Sequence, residues 1–321
     1  MLLLLLKPVL QRYALAKPNV RSSHKLPTPQ GGGIAVIAAV IVAVGTVELL
    51  QPAFTNEQRQ LAFIFMAAIV LVAVGLIDDI HPIAVLPRLL LQAVAVAIVL
   101  GSLPDDLRVF AVFPWWIERI LMFGAVLWLV NLVNFMDGID WMTVAEIVPV
   151  AGGLALFGLS GALPAYATLV AFGLFGAMIG FAPSNRPVAQ LFLGDVGSLP
   201  IGLLLGWLLL LLAAHNNFTA AALLPLYYVA DATITLLRRL KNGEPLAQAH
   251  RSHFYQRALD GGFTVYQVVG RVFTVNIILA ALAAITILSG SGIFHIAMFA
   301  AGCTLVGALL WTFNRGYRPH Q

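Results

Sequence analysis

The sequence predicts an all-α, polytopic integral membrane protein: one membrane-embedded domain over residues 1–321, with about eleven transmembrane helices and its polar site on the cytoplasmic face. Three observations predict it. The 321 residues are 60% hydrophobic and only 10% charged, a balance that no water-soluble domain has. Mean hydropathy is +0.93. Apolar runs of roughly twenty residues, each long enough to cross the ~30 Å hydrocarbon core as a helix, recur along almost the whole chain.

The first sixteen residues are apolar but interrupted by Lys7, Pro8 and Arg12, and read as a foreshortened first helix. A cleaved signal peptide fits less well, because the uninterrupted Leu run is very short and no basic residue precedes it. A polar loop follows, in which Pro18, Pro27, Pro29 and Gly31 to Gly33 forbid a continuous helix, while Arg21 and Lys25 place it in the cytoplasm. Further spans are expected at about 33–50, 61–77, 83–103, 115–135, 142–160, 164–182, 199–213, 220–240, 265–288 and 293–313. An odd count puts the N-terminus outside and the C-terminus inside. Arg88, Arg186, Arg238, Arg239, Lys241, Arg251, Arg257, Arg315 and Arg318 then all share the cytoplasmic side, as topology requires. The net charge of +4 therefore reflects anchorage against anionic lipid rather than nucleic acid binding, since no basic patch carries interleaved aromatics. Cys303 is the single cysteine, so no disulfide within the chain and no thiolate metal site can form.

The richest stretch follows the apolar run ending at Val130: Asn131, Asn134, Asp137 and Asp140 recur every third residue. At that spacing the four would project together from the mouth of a helix. Charged groups cost about 2.5–3.5 kcal/mol at the centre of an inserted helix, so the set must sit at the interface or line a polar cavity. Asp78 and Asp79 end the third expected span on the same face, and Gly194-Asp195-Val196-Gly197-Ser198 opens the eighth. Carboxylates this crowded repel unless a cation sits among them. Hard oxygen donors favour Mg²⁺ or Mn²⁺, and Mg²⁺ characteristically combines one or two protein carboxylates with substrate phosphates. Phosphoryl chemistry on a diphosphate follows, with the two glycines around Asp195 letting backbone approach a phosphate. His250 and His253, flanked by Arg251 and Arg257, suit a phosphate better than a metal. Asp231, Glu146, Arg271 and His295 lie inside spans and are read as hydrogen-bonded structural groups.

With these residues assembled, the chain resembles the polyprenyl-phosphate N-acetylhexosamine-1-phosphate transferases, which include the undecaprenyl-phosphate GlcNAc-1-phosphate transferases. The resemblance runs through five motifs in order: Arg21, Ser22, Ser23, His24, Pro27, Thr28 and Pro29 with Gly31 to Gly33; the Asp78-Asp79 pair; Asn134, Asp137, Gly138 and Asp140; Phe192 with Gly194, Asp195, Gly197 and Ser198; and His250 and His253 before Tyr255-Gln256-Arg257. It implies transfer of a sugar-1-phosphate from a UDP-sugar to a polyprenyl phosphate with Mg²⁺ (or Mn²⁺) and release of UMP. That is the first lipid-linked step of a cell-surface polysaccharide such as O-antigen, at a bacterial inner membrane. A homodimer is compatible with it.

The same resemblance implies that Asp195 holds the metal, that Asp78 and Asp79 form a catalytic pair, and that Phe192 stacks on uracil. Asn185 and Asp140 would flank the nucleoside, Lys25 would approach the diphosphate, and His250 and His253 would lie near phosphate or sugar. Asn134, Asp137, Arg251 and Arg257 complete the expected substrate contacts. Two departures stand out: Trp141 occupies a position usually held by glycine, and the first helix is short, which implies a start upstream. A secondary transporter is the alternative, but transporters place coupling residues at broken helices near the midplane in repeated halves, whereas these acids lie at helix ends and no repeat is visible.

Overall fold

The computed structural model describes residues 8, 10, 12, 14–16, 27–50, 55–245 and 250–316. Lys25 and the other residues of the first loop up to Leu26 lie outside that set. Twelve α-helices are described here: α1 (Gly33–Leu50), α2 (Thr55–Ile80), α3 (Val85–Ser102), α4 (Trp115–Met136), α5 (Met142–Leu159), α6 (Ala165–Phe181), α7 (Asp195–Leu212), α8 (Phe218–Leu223), α9 (Leu226–Lys241), α10 (Phe254–Asp260), α11 (Val265–Leu288) and α12 (Gly292–Arg315), with a π-helical turn (Ala213–Asn217) joining α7 to α8. β1 (Leu15–Ala16) and β2 (Thr28–Pro29) pair antiparallel.

The chain is an all-α membrane protein, as its composition demands. The expected count of about eleven crossings is not reached by length and composition, since eight helical segments among the described residues are long and apolar enough to span. Three local causes explain the difference. The apolar α6 has 17 residues, one fewer than the shortest helices counted as spans. The span expected over 220–240 is broken at Pro225, whose missing N–H and ring interrupt the ladder between α8 and α9. The expected first helix falls largely outside the described residues.

Proline and capping residues set most other boundaries. Pro82 stops α2 just after Ile80, Pro114 and Pro164 stand immediately before α4 and α6, and Thr264 exchanges hydrogen bonds with Gln267 to start α11. α7 is apolar all round and belongs in the centre: sixteen of its eighteen residues are buried, and its most extensive contacts are with α2 and α4. Those contacts bring backbones together over glycine, the usual device where lipid supplies no hydrophobic driving force between helices. A Cβ on Gly75 of α2 would lie 2.4 Å from the Asp195 carbonyl carbon. Gly197 meets the Cα of Gly33 on α1 in the same way, so its lack of a side chain serves helix packing, where the sequence suggested an approach to phosphate.

Gly75→Ala should therefore push the start of α7 away from α2, at a cost of about 1–3 kcal/mol typical of overpacking. Gly45→Ala, on α1, meets nothing within 4 Å and serves as its control. A lower thermal midpoint for the first variant only is expected in detergent; equal midpoints would contradict the close approach.

Candidate active site

The site assembles where the C-terminal ends of α2 and α4 meet the N-terminal ends of α3 and α7. Asp79 turns inward from the last turn of α2 and accepts the N–H groups of Asp195 (3.0 Å) and Val196 (3.2 Å). It caps α7 from another helix, satisfying two of the four donors that every helix start leaves open. A Cβ on Gly194 would lie 2.4 Å from Asp79 Oδ2, and the residue takes φ +76°, so only glycine admits this approach. Two amides that the sequence offered to a phosphate are thus taken by a carboxylate. Asp79, expected to act beside Asp78, has both oxygens engaged by backbone, and its own carbonyl accepts Gln30 Nε2 at 2.7 Å.

Asp78 points the other way. Its Oδ1 accepts the Ile83 N–H at 2.6 Å and its Oδ2 meets Arg88 Nη1 at 2.7 Å. The same Arg88 nitrogen lies 3.3 Å from Asp195 Oδ2, so one guanidinium on α3 bridges the two carboxylates. Asp195 Oδ1 accepts Asn134 Nδ2 at 2.7 Å, and that amide also reaches Ser198 Oγ at 3.0 Å. Asp78, Asn134 and Asp195, far apart in sequence, form one cluster.

The regular ladder expected from Asn131 to Asp140 does not exist as a single helical face, because α4 ends at Met136. Asn131 bonds back to Leu127 O within α4. Asp137 lies past the helix end and accepts Thr143 Oγ1. Burial, joined by the negative charges of Asp79 and Asp140, pushes its carboxyl up to about 7. Asp140 Oδ2 accepts the Ala189 N–H at 3.0 Å, and Asn185 Oδ1 accepts the Trp141 N–H at 2.8 Å. Both expected nucleoside neighbours therefore tie the end of α4 to the loop between α6 and α7. Trp141 adopts φ 63°, the left-handed region that suits glycine, and is held there by Nε1 donating to Ala182 O at 2.6 Å and by its edge-to-face contact with Tyr266. Phe192 is fixed through its backbone: its N–H donates to Pro29 O and its carbonyl accepts the Gly32 N–H, both at 2.9 Å.

The histidine pair is not helical. His253 precedes α10 with extended backbone, and the His250 and His253 rings stand 4.9 Å apart. Asp231 of α9, fully buried, accepts His253 Nδ1 (3.2 Å) and the N–H groups of Phe254 (3.0 Å) and Tyr255 (3.2 Å). Tyr255 OH then reaches Phe135 O at the end of α4 (3.3 Å), which docks α10 beside the carboxylate cluster. Arg251 pairs with Asp260 at 3.0 Å, and Arg257 lies half-buried on α10. Glu146 bonds Asn276 at 2.6 Å inside the bundle, and Arg271 lies over the Phe263 ring, so these keep structural roles.

A family model described as Glycosyl transferase family 4 matches residues 61–213, which contain Asp78, Asp79, Asn134, Asp137 and Asp195. An undecaprenyl-phosphate alpha-N-acetylglucosaminyl 1-phosphate transferase of Yersinia pestis is 30% identical over 272 residues, covering 78% of this chain and 71% of its own. The chain belongs to glycosyl transferase family 4. Other relatives in the family are a probable undecaprenyl-phosphate N-acetylglucosaminyl 1-phosphate transferase of Bacillus subtilis (26% identical, 86% of this chain and 81% of the relative) and a decaprenyl-phosphate N-acetylglucosaminephosphotransferase of Mycobacterium leprae (26%, 80% and 72%).

Sequence reasoning missed Arg88 at this candidate site and gave Asp231 its structural role without its partners. Arg88 was counted only as a topological cation, and its place ten residues after Asp78 carries no helical periodicity because Pro82 intervenes. Asp231 was read as a hydrogen-bonded structural group; its cost inside an apolar span signalled a partner without saying which. Asp231→Asn would place an amide N–H₂ against donors of α10. Faster trypsin cleavage at Arg251 and Arg257, with the spans left intact, is the expected outcome. An unchanged digestion pattern would remove Asp231 as the anchor.

Proposed function

We propose that this chain transfers N-acetylhexosamine-1-phosphate from a UDP-sugar to a polyprenyl phosphate, releasing UMP, with Mg²⁺ at the Asp78 and Asp195 carboxylates. The observation that carries the reading is the convergence of Asp78, Asn134 and Asp195 at one end of the membrane helices, in a family 4 chain whose relatives bear the names of polyprenyl-phosphate sugar-phosphate transferases. A lipid phosphate and a water-soluble donor can meet only at such an end.

The donor set fits a hard divalent cation. Two carboxylates share one cationic nitrogen, so the place is already built for positive charge. Among the described residues no group of three or more His, Cys, Asp or Glu could hold a metal by itself. The paired carboxylates of Asp78 and Asp195 suit Mg²⁺, which takes one or two protein carboxylates and fills its shell with phosphate oxygens and water. When bound, the ion supplies charge neutralisation on the diphosphate and the departing UMP.

In the reaction a lipid phosphate oxygen bonds to the β-phosphorus of the UDP-sugar while the bond from that phosphorus to the bridging oxygen breaks, and UMP keeps the electron pair. Little base catalysis is needed, since a phosphate monoester with second pKa near 6 is mostly dianionic at neutral pH. Asp78 and Asn134 instead orient the reacting groups around Asp195. Asp79 holds the start of α7, and with it Asp195, at fixed distance from α2. Asp140, Asn185 and Phe192 shape the loop assigned to the nucleoside. His253, its Nδ1 held by Asp231, orders the histidine loop assigned to phosphate or sugar. The product is the first lipid-linked intermediate of a surface polysaccharide, made on the cytoplasmic face of a bacterial inner membrane.

Purified protein in lipid should convert a UDP-sugar and undecaprenyl phosphate to a diphosphate-linked lipid, and mass spectrometry over a panel of UDP-sugars identifies the donor. No product from any member would reject the proposal. Asp195→Asn should cut turnover by several orders of magnitude with the protein still purifying as a folded monodisperse species, because an amide replaces a carboxylate poorly on a hard cation. Phe192→Ala should weaken donor binding by about 1–3 kcal/mol and leave the lipid phosphate unaffected. An equal loss for both substrates would put Phe192 outside the uracil pocket. For orientation, single cysteines replacing exposed Val188, in the loop beside the site, and exposed Val112, at the opposite end, are introduced after removal of Cys303. Val188→Cys is expected to label only from the cytoplasm and Val112→Cys only from outside; the reverse pattern would invert the site.

A further inference from the structure

Arg88 occupies the centre of the carboxylate cluster. It reaches the site from the first turn of α3, and a single nitrogen, Nη1, meets Asp78 Oδ2 at 2.7 Å and Asp195 Oδ2 at 3.3 Å. The remaining carboxylate oxygens are committed elsewhere, Asp78 Oδ1 to the Ile83 N–H and Asp195 Oδ1 to Asn134. The two oxygens that face each other across the cluster are thus the two the guanidinium holds. A divalent cation bound between these carboxylates needs those same oxygens. Guanidinium and divalent cation compete for them, since placing a second positive centre there would set like charges together in a half-buried site.

We propose that Arg88 is a resident counter-ion that occupies the metal position in the substrate-free protein, and that it must swing off Asp78 and Asp195 before a divalent cation binds. The inference rests on the metal reading given above. Arg suits the task because its rigid fork pairs with carboxylates and phosphates alike, so a diphosphate arriving with the cation offers the displaced guanidinium an equivalent partner. The arrangement keeps two neighbouring carboxylates together without metal and makes metal affinity low until the donor arrives. Metal and donor binding would therefore be coupled through one side chain rather than through a global conformational change.

The test uses full-length protein in detergent without donor, with Mn²⁺ binding read by electron paramagnetic resonance. Arg88→Gln should bind Mn²⁺ about tenfold more tightly than the unsubstituted protein, within the range of ordinary site-to-site coupling, and Asp195→Asn should abolish the gain when combined with it. If Arg88→Gln binds Mn²⁺ no more tightly while Asp195→Asn still weakens binding, the counter-ion role is wrong and the metal site stands. Binding indifferent to Asp195 would reject the metal reading itself, and this inference with it. The unsubstituted protein gives a second readout independent of how the variants fold. Phenylglyoxal modification of Arg88, followed by peptide mass spectrometry, should rise when Mn²⁺ is added; modification that stays level or falls would overturn the displacement.

Discussion

The geometry of the site depends on the carboxylate of Asp79 meeting the first amides of α7. A helix that begins inside a membrane protein cannot leave its N–H groups to water, and an acid from a neighbouring helix is among the strongest acceptors they can find. The N-terminal end of the helix dipole favours the same charge. Since the acceptor sits on α2, the contact does more than end a helix: it fixes where Asp195 starts. Gly75 and Gly194 make the approach possible by removing the side chains that would stand between the two elements.

The same device recurs at α10. Asp231 accepts two successive N–H groups of its first turn, together with the ring of His253, from the buried side of α9. Two acids, Asp79 and Asp231, are thus spent on holding other helices in place. Asp78 and Asp195 are left with oxygens turned toward the guanidinium of Arg88. Adjacent acids in sequence, Asp78 and Asp79, therefore turn to different partners, Arg88 and the start of α7, because successive residues on a helix point about 100° apart.

Much of this was legible in the sequence. Hydropathy located the apolar helices to within a turn for most spans, and the acids at helix ends pointed to one polar face. The ladder from Asn131 to Asp140 was misread for a definable reason: its threefold spacing looks helical, but Asp137, at φ −80° and ψ 53°, takes the chain out of the helix after Met136, so its four members face different partners. Pro225 was visible, yet whether a proline kinks or breaks a span depends on how its neighbours re-satisfy the backbone. Periodicity says nothing about residues joined across the bundle, which is why the meeting of Arg88 with Asp195 and of Asp231 with His253 could only be seen in three dimensions.

The division of labour between the two neighbouring acids is the centre of the account. An experimental structure of the protein with Mn²⁺ and a non-reactive UDP-sugar analogue, with the ion located by its anomalous scattering, examines it directly. The account predicts the ion between Asp78 and Asp195, with Asp79 still accepting the N–H groups of Asp195 and Val196. An ion ligated by Asp79, with the start of α7 drawn away from α2, would contradict it.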